Sequence, residues 1–204
     1  MELPQHWPLP DAQPGSAELR DELIAAYAGP ERRYHDTRHL ADVLRRLGEL
    51  REAGAVFEQL PVTLAAWFHD SVYDGERDAE ERSAMWAETA LTGLVDAATV
   101  TEVTRLVRLT ETHQPESEDR NGAALCDADL AILAADADRY GDYRAAVRQE
   151  YADLSADDFR EGRTQVLRRL IEREHLFTTA FARASWEGVA RANIAGELAA
   201  LEGR

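Results

Sequence analysis

Residues 62–73 read VTLAAWFHDSVY, and this stretch decides the expected fold. It is apolar on almost every side of a helix, and a helix of that kind has to be buried inside a domain. Pro61 precedes the stretch and suits the first position of a helix. His69 and Asp70 interrupt the apolar run near its C-terminal end. The stretch therefore predicts a central helix with two ionisable side chains at one end.

The segments on both sides of this stretch also read as helices, because Leu and Ala dominate and no run of alternating β-branched residues predicts a strand. Eight further helices are predicted, with a polar loop over 114–122: from Ser16, from Asp36 or Thr37, over 78–94, from a Thr99–Glu102 capping box, around LCDADLAIL (125–133), over 137–153, over 156–174 with Ser155 and Asp158 at its start, and over 186–201. We expect an all-α fold, with a single helical bundle over residues 16–204 and an N-terminal arm over 1–15.

The chain is strongly acidic, since 39 Asp and Glu residues against 23 basic residues give a net charge of −16. An acidic surface repels nucleic-acid phosphates, so no nucleic-acid polymer is expected as a partner. No signal peptide and no 18-residue apolar run is visible, so no membrane partner is expected either. The single cysteine, Cys126, is expected as a small buried residue and fits a reducing cytoplasm. The sequence leaves the oligomeric state open, a homodimer included.

Three short segments place His or Asp in otherwise apolar surroundings: YHDTRHL (34–40), FHD (68–70) and CDADL (126–130). A buried ionisable group is costly unless it is paired or bound to a metal. His35 and His39 are four residues apart, so they share a helix face if the helix extends back that far. These segments are therefore the candidates for a functional site.

The spacing within two of the segments limits which side chains reach a common point. Adjacent helical residues diverge by about 100°. His69 and Asp70 therefore bind one ion only if that ion lies between them or near the helix end. Asp127 and Asp129 also diverge, so only one of them is expected to face the site.

The order of these residues resembles the HD superfamily of metal-dependent phosphohydrolases. Within it, the chain is most similar to a bacterial group described as predicted metal-dependent HD phosphohydrolases. The similarity covers about 160 residues. The similar segments are Tyr34-His35 followed by His39, then FHDSVY (68–73), EERSA (80–84), THQ (112–114), DADLAIL (127–133), RQEY (148–151), GRTQVL (162–167) and ARANI (190–194).

The resemblance implies an all-α bundle that holds one divalent metal, or two, through four side chains. Carried over by position, the ligands are His39, His69, Asp70 and Asp129, with Asp127 as the alternative for the last one. Two nitrogens and two carboxylates suit Mn²⁺, Fe²⁺, Co²⁺, Ni²⁺, Mg²⁺ or Zn²⁺ without selecting one of them. A metal in such a site lowers the pKa of its bound water and polarises a phosphoryl oxygen, which is the chemistry of phosphate-ester hydrolysis.

The chain departs from several HD phosphatases at one position. They carry Glu or Lys three residues after the HD aspartate, where this sequence has Tyr73. Glu80 matches an acidic residue of the closer group and is the first choice as a replacement acid–base group. Together with Asp70 and His113, it makes up the expected catalytic set.

The substrate phosphate is expected to contact His35, Arg38, Arg148 and Arg163, because an arginine fork binds phosphate in a bidentate manner. The expected activity is hydrolysis of a small phosphate ester, nucleotides included. Two alternatives stay open. The chain could be a ligand-sensing or regulatory module that binds metal without turnover, since Tyr73 replaces the usual Glu or Lys. It could also be a diiron oxygenase on the HD scaffold, with His113 and His35 as extra ligands.

Overall fold

The computed structural model describes residues 2–203, and it has the expected all-α architecture. Within these residues there are ten α-helices, two 3₁₀-helices and no β-strand. The 3₁₀-helices cover Leu3–His6 and Ala131–Ala134. The α-helices are α1 (Ser16–Tyr27), α2 (Thr37–Glu52), α3 (Gln59–Phe68), α4 (Ala79–Leu91), α5 (Ala97–Leu109), α6 (Arg120–Leu130), α7 (Ala137–Glu150), α8 (Ala156–Ile171), α9 (Ala180–Ser185) and α10 (Glu187–Leu201).

The helix α3 lies at the centre of the bundle, as its apolar sequence predicts. It contacts α2, α4, α5 and α6, and Trp67 and Phe68 are completely buried. The helix begins two residues before Pro61 and ends at Phe68. His69 is its C-cap residue and still donates its backbone N–H to the Ala65 carbonyl at 2.9 Å. The two ionisable residues therefore lie at the helix end rather than inside it.

Short polar side chains fix the predicted starts of two helices. The Asp36 carboxylate caps α2, since its Oδ1 accepts the N–H groups of Arg38 and His39 at 2.8 and 3.1 Å. The Ser155 hydroxyl caps α8 by accepting the N–H of Asp158 at 3.1 Å. Such caps satisfy backbone donors that have no partner within the helix. Both starts agree with the sequence-based prediction.

The predicted capping box at Thr99 and Glu102 is wrong. The cap of α5 is Asp96, whose carboxylate accepts the N–H of Thr99 at 2.8 Å. Glu102 instead pairs with Arg105 one turn further along the helix. An aspartate three residues before the capped N–H predicts a helix start as well as a capping box does. The sequence therefore contains two competing starts for this helix, at Asp96 and at Thr99.

The start of α6 shows why one glycine is required. The predicted loop over 114–122 is shorter than expected, because α6 already begins at Arg120. The Asp119 carboxylate caps the helix by accepting the Gly122 N–H at 2.8 Å. A Cβ atom on Gly122 would overlap this carboxylate and the side chain of Leu109. The glycine therefore allows the close approach of the cap.

The residues before α1 are part of the core. Within 2–15, Leu3 and Trp7 are buried, although the sequence predicts an arm over 1–15. The ring of Trp7 meets the ring of Trp67 edge-on, with 5.1 Å between the centroids. The Trp7 indole N–H also donates to the Ser16 hydroxyl at 2.8 Å. This segment thus shields the central helix instead of extending away from it.

The predicted last helix over 186–201 agrees with α10, but the sequence did not predict the short helix before it. The short helix α9 precedes it, capped by the Thr179 hydroxyl, which accepts the Ala182 N–H at 3.3 Å. Trp186 follows α9 and precedes α10. No helix within residues 2–203 has both the length and the apolar character needed to cross a bilayer.

Candidate metal centre

Three helix ends bring the predicted ligands to one point. His39 lies in the first turn of α2, His69 and Asp70 follow the last turn of α3, and Asp129 lies in the last turn of α6. These three helices contact one another in pairs. The side chains of the two histidines are 3% and 1% exposed, and those of Asp70 and Asp129 are 16% and 13% exposed. The bundle therefore fixes the relative positions of all four side chains.

His39, His69 and Asp70 form a compact group whose ligand atoms all lie within 4.8 Å of one another. The two Nε2 atoms are 3.1 Å apart. The Oδ2 atom of Asp70 is 3.2 Å from Nε2 of His39 and 3.1 Å from Nε2 of His69. The neighbours His69 and Asp70 reach the same point because the helix ends between Phe68 and this pair.

Asp129 and not Asp127 lies beside the imidazoles. The Oδ1 atom of Asp129 is 3.2 Å from Nε2 of His39 and 3.6 Å from Nε2 of His69. Asp127 points to the other side of α6, where its carboxylate accepts the backbone N–H groups of Thr178 and Thr179 at 2.8 and 2.7 Å. Burial raises the pKa of Asp127 to about 6 despite these hydrogen bonds. The geometry supports the choice of Asp129 over the alternative.

The separations match those between ligands of one cation. Metal–ligand bonds of about 2.1 Å place neighbouring ligand atoms about 3.0–3.4 Å apart in octahedral or tetrahedral geometry. The distances of 3.1–3.2 Å within the His39, His69 and Asp70 group fall in this range. The spacing of these three residues therefore fits a divalent cation, while Asp129 lies slightly further out, at 3.2 and 3.6 Å from the two Nε2 atoms.

A contact at Nδ1, the ring nitrogen that faces away from Asp70, fixes the orientation of His69. Its Nδ1 atom is 2.9 Å from the Ala66 carbonyl, which can only accept a hydrogen bond, so Nδ1 carries a hydrogen. In the neutral ring the lone pair is then on Nε2, the atom that faces Asp70 and His39. The Tyr27 hydroxyl lies 3.5 Å from the same Nδ1 atom and accepts the Asp70 N–H at 3.2 Å. His69 is therefore prepared to use Nε2 as a ligand.

The buried charges of the group depend strongly on one another. Burial alone would lower the pKa of His39, but hydrogen bonds and negative charge from Asp129 and Asp70 raise it to about 9. The same competition raises the pKa of His69, with Asp70 as its strongest charged neighbour. Burial opposes ionisation of Asp70 and Asp129, yet the positive imidazoles hold both pKa values well below the usual range. The two carboxylates and the two imidazoles therefore stabilise each other's charged forms.

His113 contacts the group through Asp129. Its Nε2 atom lies 2.7 Å from Oδ2 of Asp129, the oxygen that does not face His39. The backbone of His113 has a φ of 50°, in the left-handed region that few side chains favour. Its carbonyl accepts a hydrogen bond from Arg173 at 3.0 Å. The sequence-based prediction placed His113 near the site, and the structure puts it in contact with a ligand.

His35 is held by Glu150, a residue to which the sequence analysis assigned no role. The Nδ1 atom of His35 lies 2.7 Å from Oε2 of Glu150. The Tyr73 hydroxyl donates to the same oxygen at 3.2 Å, and its ring stacks on the His35 ring with 4.2 Å between centroids. Since Nδ1 is occupied, Nε2 is the His35 nitrogen that remains for the cleft.

The other oxygen of Glu150 binds the backbone before α2. Oε1 accepts the N–H groups of Arg33, Tyr34 and His35 at 2.9, 2.8 and 2.9 Å. The Glu150 side chain is only 2% exposed. Burial opposes its ionisation, but the hydrogen bond and charge of His35 outweigh burial and lower the pKa of Glu150 to about 2. The carboxylate therefore joins the end of α7 to the segment that precedes His39.

Arg32 connects the two segments that carry His35 and the HD pair. Its guanidinium donates to the carbonyls of His35, Asp70 and Ser71 at 2.8, 2.7 and 2.9 Å. The guanidinium also lies over the ring of Tyr27, 5.0 Å from the centroid. No motif in the sequence indicated this residue, because its partners are main-chain oxygens of distant segments.

A cleft of about 1460 Å³ opens beside the group. Asp70 and Asp129 line it, together with His35, Glu80 and His113. The structure thus brings the expected catalytic residues to one cleft. Glu80 lies in the first turn of α4 and is partly exposed, and among the described residues its side chain has no hydrogen-bond or ion-pair partner.

Of the three arginines expected at the phosphate, Arg38 lines a second cleft that His39 and Asp129 also line, and the other two are engaged elsewhere. Arg38 is 60% exposed and lies 4.0 Å from Asp142, and this second cleft has a volume of about 340 Å³. Arg148 donates to the carbonyls of Tyr151 and Leu154 and does not line the main cleft. Arg163 lines the main cleft, but its guanidinium is paired with the buried Glu197 at 2.9 Å. Spacing along the chain could not reveal these tertiary partners.

Comparisons of the chain with protein-family models, with curated proteins and with solved structures found no match. The resemblance to the HD superfamily therefore stays a prediction from the sequence.

Proposed function

We propose that the protein is a metal-dependent phosphohydrolase of the HD superfamily that hydrolyses a small phosphate ester, nucleotides included. One observation carries the proposal: Nε2 of His39 and of His69 and carboxylate oxygens of Asp70 and Asp129 face a common point beside a cleft. The net charge of −16 supports a small phosphorylated substrate over a nucleic-acid polymer. The one cysteine, Cys126, is buried, and we propose a cytoplasmic location for the protein.

The four ligands would hold one divalent cation, chosen from Mn²⁺, Fe²⁺, Co²⁺, Ni²⁺, Mg²⁺ and Zn²⁺. Such a cation supplies an acidic bound water and polarises a phosphoryl oxygen. In the overall reaction, the water oxygen forms a bond to phosphorus while the bond to the organic oxygen breaks. One water hydrogen leaves, and the departing organic oxygen gains a hydrogen, so the products are inorganic phosphate and an alcohol.

The residues around the ligands hold donors and acceptors in place for this reaction. His113 binds the second oxygen of Asp129, which keeps that carboxylate oriented. Glu150 fixes His35 so that its Nε2 can exchange a hydrogen bond with a phosphate or leaving-group oxygen. Glu80 lies at the same cleft and is a further acid–base candidate.

The test combines metal analysis with an activity measurement. The purified protein is freed of metal, reloaded with each candidate cation, and assayed with p-nitrophenyl phosphate and nucleoside monophosphates. We expect about one cation per chain and phosphate release that requires it. The Asp70→Ala variant should lose both the bound cation and the phosphate release. The matched control is Asp138→Ala, an exposed aspartate of α7 outside the cleft, and it should behave like the unmodified protein.

Two results would contradict the proposal. A protein that binds none of the six cations has no centre for this chemistry. A protein that binds a cation tightly and hydrolyses none of a broad panel of phosphate esters is better explained as a ligand-sensing module.

A further inference from the structure

Three arginines line the main cleft without an ion pair to any carboxylate of the described chain: Arg169, Arg173 and Arg183. Arg173 donates to the carbonyls of His113 and Thr112 at 3.0 and 2.9 Å. Arg183 donates to the Phe177 carbonyl at 2.9 Å. These main-chain carbonyls orient the guanidinium groups of Arg173 and Arg183 without neutralising their charge.

Arg173 is the most informative of them because it is partly buried. Partial burial of its guanidinium lowers the pKa of Arg173. A cation in such surroundings is costly unless an anion accompanies it. The protein carries an excess of acids, yet none of the described acids approaches Arg173 within ion-pair distance. The exposed glutamates that line the cleft are Glu111, Glu172 and Glu174.

Arg173 and Arg183 line the same cleft as Asp70 and Asp129. Arg173 binds the carbonyl of His113, whose ring binds Asp129. An anion bound to these arginines would therefore lie beside the candidate metal centre.

The same cleft is also lined by exposed apolar side chains. Tyr151, Leu154 and Val166 line it with 45%, 43% and 46% of their surface exposed. The other large hydrophobic residues with comparable exposure in the described chain are Val56, Met85 and Val189, and none of them lines the cleft. Exposed apolar side chains that gather in one cleft mark a surface for an apolar ligand group.

We propose that the cleft binds a phosphate monoester with an apolar organic group. Arg173 and Arg183 hold its phosphate next to the metal ligands, and Tyr151, Leu154 and Val166 contact the organic group. This assignment rests on the proposed function and specifies its substrate class. A monoester phosphate is a dianion, and two arginines beside a cation neutralise it better than they would a singly charged diester.

The test measures binding rather than turnover, with three probes that cannot be hydrolysed. Phenylphosphonate carries both a dianion and an aromatic ring, methylphosphonate lacks the ring, and benzenesulfonate has the ring with a single charge. Calorimetric titrations are run on the protein with and without Mn²⁺. Phenylphosphonate should bind the loaded protein about tenfold more tightly than either other probe, because each of the others lacks one recognised feature.

Two pairs of variants test the two groups of cleft residues. Arg173→Gln and Arg183→Gln should each weaken both phosphonates by about tenfold or more and leave Mn²⁺ affinity unchanged. The matched control is Arg168→Gln, an exposed arginine outside the cleft that pairs with Glu202. Val166→Ser should weaken phenylphosphonate by about threefold or more and leave methylphosphonate unchanged. Its control is Val189→Ser, since Val189 is 45% exposed and lies outside the cleft.

The outcomes separate this inference from the proposed function. Failure to bind any divalent cation overturns the proposed function, and the titrations without metal then still test the arginines. Equal phosphonate affinities in the unmodified protein and in both arginine variants overturn the anion assignment. Equal affinities for phenylphosphonate and methylphosphonate overturn the apolar assignment. If Arg173→Gln changes the Mn²⁺ affinity and Arg183→Gln does not, Arg173 only positions His113. The phosphonate affinity of Arg183→Gln then decides whether the arginines bind the anion.

Discussion

Asp127 and Asp129 lie two residues apart in α6 and perform different tasks. Replacing Asp129 by Asn should weaken metal binding by more than about 100-fold, because a ligand matters at least as much as the residues that orient ligands. Asp127→Asn should keep the metal affinity and lower the free energy of unfolding by about 1–2 kcal/mol, because one buried N–H loses its acceptor. Metal titration and urea unfolding of both variants measure this. Equal losses of metal affinity would contradict the assignment of Asp129.

Glu150 makes a pH-dependent contribution to stability. Its pKa in the folded protein is about 2, below the ordinary value of 4.5, so ionised Glu150 favours the folded state. This contribution is complete above about pH 4.5 and is lost as the pH falls towards 2. Glu150→Gln should therefore lower the free energy of unfolding at pH 7 by an amount on the order of 2 kcal/mol, and the difference should shrink below pH 4.

The measurement is urea unfolding between pH 2.5 and 7, and Glu116→Gln provides the control. Glu116 is exposed, and its side chain has no hydrogen bond or ion pair among the described residues. Its replacement should leave the pH profile unchanged. A Glu150→Gln difference that is the same at pH 3 and pH 7 would show that the carboxylate charge does not contribute.

At this scale, the sequence predicted which residue types meet but not how each is held. The segments with His39, with His69 and Asp70, and with Asp127 and Asp129 stand out because ionisable groups in apolar helices need partners, and the resemblance to the HD superfamily favoured Asp129. Glu150 and Arg32 bind main-chain groups of segments that are distant in sequence or lie in loops. No spacing rule exists for such contacts. For the same reason, the sequence predicted phosphate contacts for Arg38, Arg148 and Arg163 and none for Arg173.

Among the elements, the first turn of α6 gives a sharp test of local packing. Gly122→Ala places a methyl group against the Asp119 cap and Leu109, and should destabilise the protein by about 1–3 kcal/mol. Gly141 in α7 has open space around the position of a Cβ atom, so Gly141→Ala should stabilise by about 0.5–1 kcal/mol. Chemical denaturation of the two variants measures both signs. If Gly122→Ala leaves the free energy of unfolding unchanged, Asp119 can move away from the added methyl group without cost.

Helix starts were predictable where one polar residue had no competitor. Asp36 and Ser155 cap as expected, whereas Asp96 and not Thr99 caps α5. The short helix α9 escaped prediction because six residues give no helical period to detect. Its position depends on Asp127, which binds the N–H groups at its start from another helix.

For the whole molecule, the buried centre should couple metal binding to stability. A cation that binds only the folded state at 100 times its dissociation constant adds about 2.7 kcal/mol to the free energy of unfolding. In a chain of this size, that amount raises the melting temperature by about 5–10 °C. Thermal unfolding with increasing Mn²⁺ or Zn²⁺ tests this expectation. Asp70→Ala should show no such rise, and an equal rise in that variant would place the bound metal elsewhere.

The general architecture was the most predictable property of the molecule, because apolar periodicity alone identifies a bundle around α3. The role of the segment before α1 was not predictable. Its four prolines indicate an irregular chain, yet Leu3 and Trp7 are buried against the bundle. Whether a single apolar residue in an irregular segment is buried depends on the surface against which the segment packs. The sequence of the segment contains no repeating pattern that predicts this surface.

The last turn of α6 has a consequence that extends beyond the centre itself. One of its aspartates faces the cation site, while Asp127 accepts the amide hydrogens of Thr178 and Thr179 at the edge of the cleft. A cation that immobilises this turn should slow deuterium uptake at those two amides, which are not ligands. Mass spectrometry would then detect metal binding at the buried centre through the deuterium uptake of a peptide about fifty residues further along the chain.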